Sequence, residues 1–233
     1  MSVELVVVSA GVSEPSTTRM LADRAARAVV ARLRGSGRDT TVHVVELAPI
    51  AAEIARTLVG GPAAPAVQEA IGRLATADAV IVSAPVYKAG ISGLFKSFVD
   101  VLDNDLLIAK PVLLAATAGS ARHAMVADDH LRPLFAFLRA IPVPTSLFAA
   151  PEDWAAAEMT ERVDRAAAEL AALVVSGVGR DIADGGWGGY QHTFGGNATR
   201  AQRSGADVDL DSDLMRLARG EDVEGLLSSK KPK

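Results

Sequence analysis

The chain has 233 residues, of which 49% are apolar and 22% are charged, and it carries a formal net charge of -4 with a pI near 5.6. This acidic balance disfavours nucleic acid or an anionic membrane as the main partner, and no apolar run is long enough to span a bilayer. The absence of cysteine excludes disulfides, thiolate metal sites and cysteine nucleophiles.

A buried strand is predicted at the start of the chain, because residues 3–8 are mostly valine and leucine. Apolar residues then recur at every fourth position from residue 21 to residue 33, so a helix is expected to begin near Pro15 or Ser16, with the proline in its first turn. The connection between strand and helix is rich in hydroxyl groups. They belong to Ser9, Ser13, Ser16, Thr17 and Thr18.

These hydroxyl groups surround a predicted helix N-terminus, whose free amides and positive dipole end attract anions. The alternative is that Ser13 or Ser16 only caps the helix, for which a single hydroxyl suffices. The stretch lacks both the GxGxxG spacing of dinucleotide sites and the glycine, lysine and Ser/Thr pattern of a P-loop. It therefore indicates a monophosphate site.

Strands and helices are predicted to alternate along the rest of the chain. The later strands are expected at residues 40–47, 79–83, 111–116 and 143–149, and the later helices at 62–77, 94–102, 131–138 and 155–176, with an irregular connection over residues 48–62. This alternation predicts an α/β fold with a doubly wound, five-stranded parallel sheet in the flavodoxin-like order 2-1-3-4-5. Ligands in such folds bind at the carboxyl edge of the sheet, where residues 9–18, 85–92 and 117–122 are expected to form one composite site.

Residues 85–100 contain the pattern P-x-Y-x-x-x-x-S-x-x-x-K-x-x-x-D. With this motif the chain resembles the NADPH-dependent FMN reductase family of flavodoxin-like proteins, over about residues 3–175. The opening Ser-Ala-Gly-x-Ser-x-Pro-Ser from Ser9 to Ser16 further resembles members that are partnered with luciferase-like monooxygenases.

The resemblance implies hydride transfer from NADPH or NADH to FMN, in a homodimer or a dimer of dimers. It implies that the first loop holds the FMN phosphate, that the second contacts the isoalloxazine and that the third lies along the other side of the ring. The residues so implied are Ser9, Ser16, Thr17 and Thr18 in the first loop, Pro85, Val86, Tyr87 and Lys88 in the second, and Thr117, Ala118, Gly119 and Ser120 in the third. Hydride transfer depends on stacking and alignment, so no catalytic acid or base is predicted. The four histidines show no paired ligand spacing, so no metal ligand is predicted either.

One departure from the family concerns the first loop, where many relatives carry an arginine and this chain has Gly11 and Val12. Arg19 either replaces that arginine from one helical turn further on, or it points to solvent or pairs with an acidic neighbour. The motifs also suit two other flavin proteins, a flavodoxin-like electron carrier and an FMN-dependent quinone or azo reductase. They do not decide between NADPH and NADH, or among FMN, FAD and riboflavin.

The C-terminal residues differ in composition from the rest. Residues 1–180 are expected to form the FMN-binding domain, and residues 181–233 an extension in which aromatic residues stand among glycines. Its aromatic and histidine residues are Trp187, Tyr190, His192 and Phe194. The extension is interpreted either as an arm that packs across a dimer or as a disordered tail. With no basic signal region before the first strand, the protein is expected in the cytoplasm.

Overall fold

The structure, a computed structural model, describes residues 2–187. Its strands are β1 (Val3–Ser9), β2 (Thr40–Glu46), β3 (Ala79–Tyr87), β4 (Gly90–Ile91), β5 (Pro111–Thr117), β6 (Ile141–Pro142) and β7 (Leu147–Ala149). Its α-helices are α1 (Thr17–Gly35), α2 (Ala51–Leu58), α3 (Pro65–Thr76), α4 (Gly93–Asp100), α5 (Arg132–Phe137), α6 (Ala157–Ser176) and α7 (Val178–Gly186). None of the helices in this part of the chain is long and apolar enough to cross a membrane.

The sheet is parallel apart from one short hairpin strand. Its order is β2-β1-β3-β5, and β6 and β7 both pair with β5 on the far side. In register, Val7 of β1 lies between Val44 of β2 and Ile81 of β3. The predicted order 2-1-3-4-5 is therefore confirmed, with β6 and β7 together filling the fifth place.

Helices cover both faces of this sheet, and each face has its own hydrophobic core. On one face α1 and α6 pack against the strands, with Leu21 and Leu170 fully buried. On the other face α3, α4 and α5 pack, and the rings of Phe95 and Phe135 lie 6.4 Å apart. Because each large side chain that is fully buried contributes about 1.5–3 kcal/mol, these cores fix the strands whose ends carry the three loops.

The connection predicted as irregular between β2 and α3 contains a helix, α2 (Ala51–Leu58), so that prediction was wrong. The helix is short, and Ile50 before it provides no side-chain cap, so the usual N-terminal signal is missing. It is held by burial of Ile54 and Thr57. The sequence pattern did not reveal it because two buried residues in a helix of about two turns are too few to show a helical period.

Of residues 143–149, predicted as the fifth strand, the last three form β7, while β6 lies just before the predicted range and a break over residues 143–146 separates the two short strands. Pro142 ends β6 and Pro144 lies within the break, and proline lacks the amide that a continuous ladder needs. Within the break, Glu169 of α6 accepts hydrogen bonds from the backbone amide and the hydroxyl of Thr145, both at 2.8 Å. A side chain from a distant helix thus satisfies the polar groups that the ladder leaves open.

Strand β2 forms one edge of the sheet. Val3 donates its amide to the Asp39 carbonyl at 2.7 Å, and Leu47 donates to the Ser9 carbonyl at 2.9 Å, so the odd-numbered residues direct their backbone groups toward β1. Since backbone groups alternate in direction along a strand, the even-numbered residues of β2 direct theirs away from the sheet.

The described chain ends in α7, which crosses the boundary predicted after residue 180 and packs against the connection that leads into β5. A side chain at Gly179 would collide with the carbonyl oxygen of Ala109, so glycine permits this close approach. At the end of α7, Trp187 lies with its ring 5.3 Å from the Arg139 guanidinium carbon. The predicted tail residues Tyr190, His192 and Phe194 lie outside the described residues.

Candidate functional site

The first loop leads into the N-terminus of α1. The helix begins at Thr17, with Ser16 as its N-cap, and the Ser16 hydroxyl accepts a hydrogen bond from the Arg19 amide at 3.1 Å. Pro15 therefore lies before the cap, and its predicted place in the first turn was wrong. For the amides of Thr17 and Thr18, no acceptor is seen within residues 2–187, which leaves them available to an anion.

Gly11 lets this loop close on itself. A side chain at this position would collide with the Ser16 hydroxyl and come within 3.2 Å of Thr18 Cβ. The loop therefore packs closely against side chains at the helix start, and this contact of Gly11 with Ser16 and Thr18 is called the cradle. Such a cradle beside free helical amides suits a phosphate group.

Three of the predicted hydroxyl residues are buried beneath the loops. Ser9, Thr18 and Thr117 are 2%, 3% and 4% exposed. The hydroxyls of Thr18 and Thr117 hydrogen-bond each other at 2.7 Å, which joins the start of α1 to the end of β5. Of the first-loop residues predicted for the phosphate, Ser16 and Thr17 are the ones whose side chains reach the surface.

Ser83 of β3 completes this buried network, and sequence reasoning missed it. Its hydroxyl donates to the Thr18 carbonyl at 2.9 Å, and its own carbonyl accepts from the Ala10 amide at 3.0 Å. The available signal was a serine in an otherwise apolar predicted strand, residues 79–83. Such a residue is buried, here fully, and therefore requires a hydrogen-bond partner.

The second loop is shorter than predicted, because β3 continues through Pro85 and Val86 to Tyr87 and pairs with β4. Lys88 and Ala89 form the two-residue turn, with φ values of +51° and +65°. Turns of this kind favour asparagine and glycine, so the two residues here are strained. Tyr87 is 51% exposed at the rim, and Pro85 and Val86 are buried beneath it.

The third loop begins at the end of β5. The Ala118 amide donates to the Ala149 carbonyl at 3.1 Å, which ties the loop to β7. Gly119 is exposed and Ser120 is half-buried, and a short 3-10 turn, Ala121–His123, follows. The predicted third-loop residues thus occupy the same sheet edge as the other two loops.

Arg19 pairs with acidic neighbours. Its guanidinium lies 2.8 Å from the Asp23 carboxylate and 2.9 Å from that of Glu46. The hydrogen bond to Asp23 is the main cause that raises the pKa of Arg19, and Glu46 adds to it. The second of the two interpretations of Arg19 is therefore confirmed.

The remaining polar residues of the second motif support its helix. The Ser92 hydroxyl accepts from the Phe95 amide at 3.3 Å and so caps α4. Lys96 and Asp100 form an ion pair at 2.6 Å on the same helix. Both arrangements hold α4, and with it the end of the second loop, in place.

The three loops therefore meet at the carboxyl ends of adjacent strands, at the point where the sheet reverses its winding order. An α/β protein with a parallel sheet in this order is a flavodoxin-like protein. Residues 3–155 match the family model of NADPH-dependent FMN reductases, and the chain belongs to that family. The resemblance noted in residues 85–100 is thereby confirmed.

Individual relatives agree with this assignment. The chain is 39% identical over 151 residues to an FMN reductase (NADPH) of Pseudomonas aeruginosa, covering 65% of this chain and 78% of the relative. It is 37% identical over 169 residues to the NADH-dependent FMN reductase SfnF of Pseudomonas fluorescens, covering 72% and 88%. A crystal structure of an oxidoreductase from Corynebacterium diphtheriae superposes with a TM-score of 0.73 at 42% identity, over 75% of this chain and 98% of that one.

Proposed function

We propose that this protein binds FMN at the three-loop edge, residues 9–18, 85–92 and 117–122, and reduces it with NADPH or NADH. The observation that carries the proposal is the direct tie between the first and third loops by the Thr18–Thr117 hydrogen bond at 2.7 Å. Two loops joined in this way present the helix N-terminus and the ring-side loop to one ligand.

The first loop supplies neutral donors for the phosphate. The amides of Thr17 and Thr18 and the hydroxyl of Ser16 lie at the start of α1, where the helix dipole favours negative charge. Since Arg19 is paired with Asp23 and Glu46, the phosphate is bound without its help.

The second and third loops orient the flavin ring. The turn at Lys88 and Ala89 brings backbone groups and the exposed Tyr87 to the rim, and Gly119 leaves the opposite side unobstructed. The ammonium group of Lys88 favours the negative charge that accompanies flavin reduction. FMN supplies the hydride-accepting chemistry when bound, so the protein contributes alignment and no acid or base is required.

The reduced flavin leaves the site for a flavin-dependent monooxygenase. The resemblance of residues 9–16 to monooxygenase-partnered reductases supports this step.

The protein is proposed to act in the cytoplasm as a homodimer or a dimer of dimers. Exposed apolar side chains near the three loops support such assembly, since Val12, Tyr87 and Met125 are 58%, 51% and 60% exposed.

The test is to mix the purified protein with FMN and NADPH, and separately with NADH, under air and to follow the absorbance at 340 nm. Sustained oxidation that depends on free FMN is expected. Tightly retained yellow flavin without turnover would favour the electron carrier instead. Turnover that requires a quinone or azo dye would assign the electrons to that acceptor, and the absence of flavin binding would overturn the proposal.

A further inference from the structure

The buried polar network beneath the three loops has a geometry that the binding of a phosphate explains. Thr18 is the second residue of α1, and its amide, like that of Thr17, has no acceptor within residues 2–187. On the inner side, its hydroxyl bonds Thr117 at 2.7 Å and its carbonyl accepts from Ser83 at 2.9 Å. The residue is therefore held at two points, and its amide, which has no acceptor there, lies in the first turn of the helix.

We infer that Thr18, Thr117 and Ser83 are positioning residues that give the site its selectivity for FMN over riboflavin. The inference rests on the proposed function, because it concerns the same three-loop edge. The network fixes the direction of the first-turn amides, and these amides contact the phosphate that riboflavin lacks. Loss of the network redirects the amides, whereas the third loop keeps its tie to β7, because the Ala118 amide still donates to the Ala149 carbonyl at 3.1 Å.

A comparison inside the chain shows what a purely structural threonine requires. Thr57 in α2 is as buried as Thr117, at 4% exposure, and its hydroxyl donates to the Glu53 carbonyl of its own helix at 2.9 Å. Thr18 forms no such local bond and instead bonds a partner 99 residues away. The long-range bond links two loops, which a cap or a local bond would not do.

Ser83 holds the network at its third corner. It is fully buried in β3, between the register positions of Ser9 in β1 and Ala115 in β5. Its hydroxyl donates to the backbone carbonyl of Thr18 and so restrains the helix start. A Ser83→Ala variant keeps the Thr18–Thr117 bond, and it is therefore expected to weaken the selectivity less than a change of the threonine pair.

The experiment measures the dissociation constants of FMN and riboflavin by flavin fluorescence quenching for the wild type, Thr18→Val, Thr117→Val and the double variant. In each valine variant the affinity for FMN should fall about tenfold, which corresponds to one charge-assisted hydrogen bond. The affinity for riboflavin should change by less than about twofold, so that the selectivity ratio, the dissociation constant of riboflavin divided by that of FMN, falls. The double variant should be no worse than either single variant, since both remove the same bond.

Matched variants separate positioning from stability. Thr57→Val removes an equally buried hydroxyl and should lower the melting temperature, while the ratio of the riboflavin dissociation constant to the FMN dissociation constant stays unchanged. Thr18→Ser and Thr117→Ser retain the hydroxyl and should therefore keep the ratio of the wild type. A Thr117→Val variant that loses stability and keeps the wild-type ratio would overturn the inference. If the valine variants do not fold, Ser83→Ala tests the same inference, with a smaller expected fall in the selectivity ratio.

A measurement without flavin distinguishes failure of this inference from failure of the proposed function. The amides of Arg19 and Met20 are bonded to Ser16, and their hydrogen exchange reports the order of the helix start. Thr117→Val should accelerate their exchange and Thr57→Val should not. If the wild type binds no flavin, the proposed function fails, and unchanged exchange in Thr117→Val would then show that the pair does not position the loop either.

Discussion

At the level of single residues, the site depends on a few atoms that prevent or permit close approach. Gly11 is the clearest case, because a single added carbon would displace the Ser16 hydroxyl. The sequence pattern located the loop and its hydroxyl groups. It did not show which hydroxyls face inward, since Ser9 and Thr18 look the same as Ser16 and Thr17 until the third loop is packed beneath them.

Gly11→Ala should weaken FMN binding about tenfold and lower the free energy of unfolding by about 1 kcal/mol, the usual cost of a lost helix cap. The measurements are FMN titration and urea denaturation. Gly72→Ala is the control, since a side chain there meets no atom within 4 Å in α3 and should stabilise the helix by about 0.5–1 kcal/mol. Equal effects of the two substitutions would contradict the cradle.

Arg19→Gln should leave FMN affinity within about twofold of the wild type, because its guanidinium is paired with Asp23 and Glu46. These pairs are partly exposed, so the loss of stability should be at most about 1 kcal/mol. Since its pKa is raised, Arg19 stays charged until the pH passes an already high value, and its contribution should be constant between about pH 6 and 9. FMN titration checks the affinity, and urea denaturation at the two pH values checks the contribution to stability; a tenfold loss of affinity would identify Arg19 as a phosphate ligand.

At the level of elements, the helices and central strands were predictable because their hydrophobic periods extend over several turns or over a full strand. The elements that were missed are short or contain residues that usually interrupt structure. Pro85 suggested a loop, yet its carbonyl accepts from the Ser92 amide at 3.0 Å and the strand continues through it. Helix α7 was missed because its last residues, Asp184, Gly185 and Gly186, are typical of turns.

The β3–β4 turn provides a test at this level. Ala89→Gly should raise the melting temperature by roughly 2–4 °C, because relief of a left-handed alanine is worth about 1 kcal/mol. Ala172→Gly, at an exposed position in α6, should have the opposite effect, since glycine weakens a helix interior. Calorimetry of the two variants decides, and a loss of stability in both would show that the turn is unstrained.

At the level of the whole molecule, the two cores and the packing of α7 should determine stability, and the C-terminal residues should determine assembly. A chain ending at Trp187 keeps α7, whereas a chain ending at Ser176 loses it and exposes Ile108 and Ala109, which are 3% exposed in the full structure. The shorter chain should therefore melt several degrees lower. Scanning calorimetry of both truncations tests this, and equal melting temperatures would contradict a structural role for α7.

The same pair of truncations tests the proposed arm. If residues 188–233 pack across a dimer, the chain ending at Trp187 should contain fewer chains per particle by light scattering and should have a weaker affinity for FMN. An unchanged number of chains per particle together with an unchanged affinity would exclude the arm.

The position of β2 at the edge of the sheet, as seen within residues 2–187, has a consequence for the solubility of the protein. Its outward backbone groups, at Thr40, Val42, Val44 and Glu46, form a ready template for another strand, and Val42 and Val44 are each 39% exposed. Within β2 there is no lysine or proline to discourage such pairing. Concentrated samples should therefore precipitate by intermolecular strand addition at this edge. Val44→Lys should slow this precipitation without altering turnover.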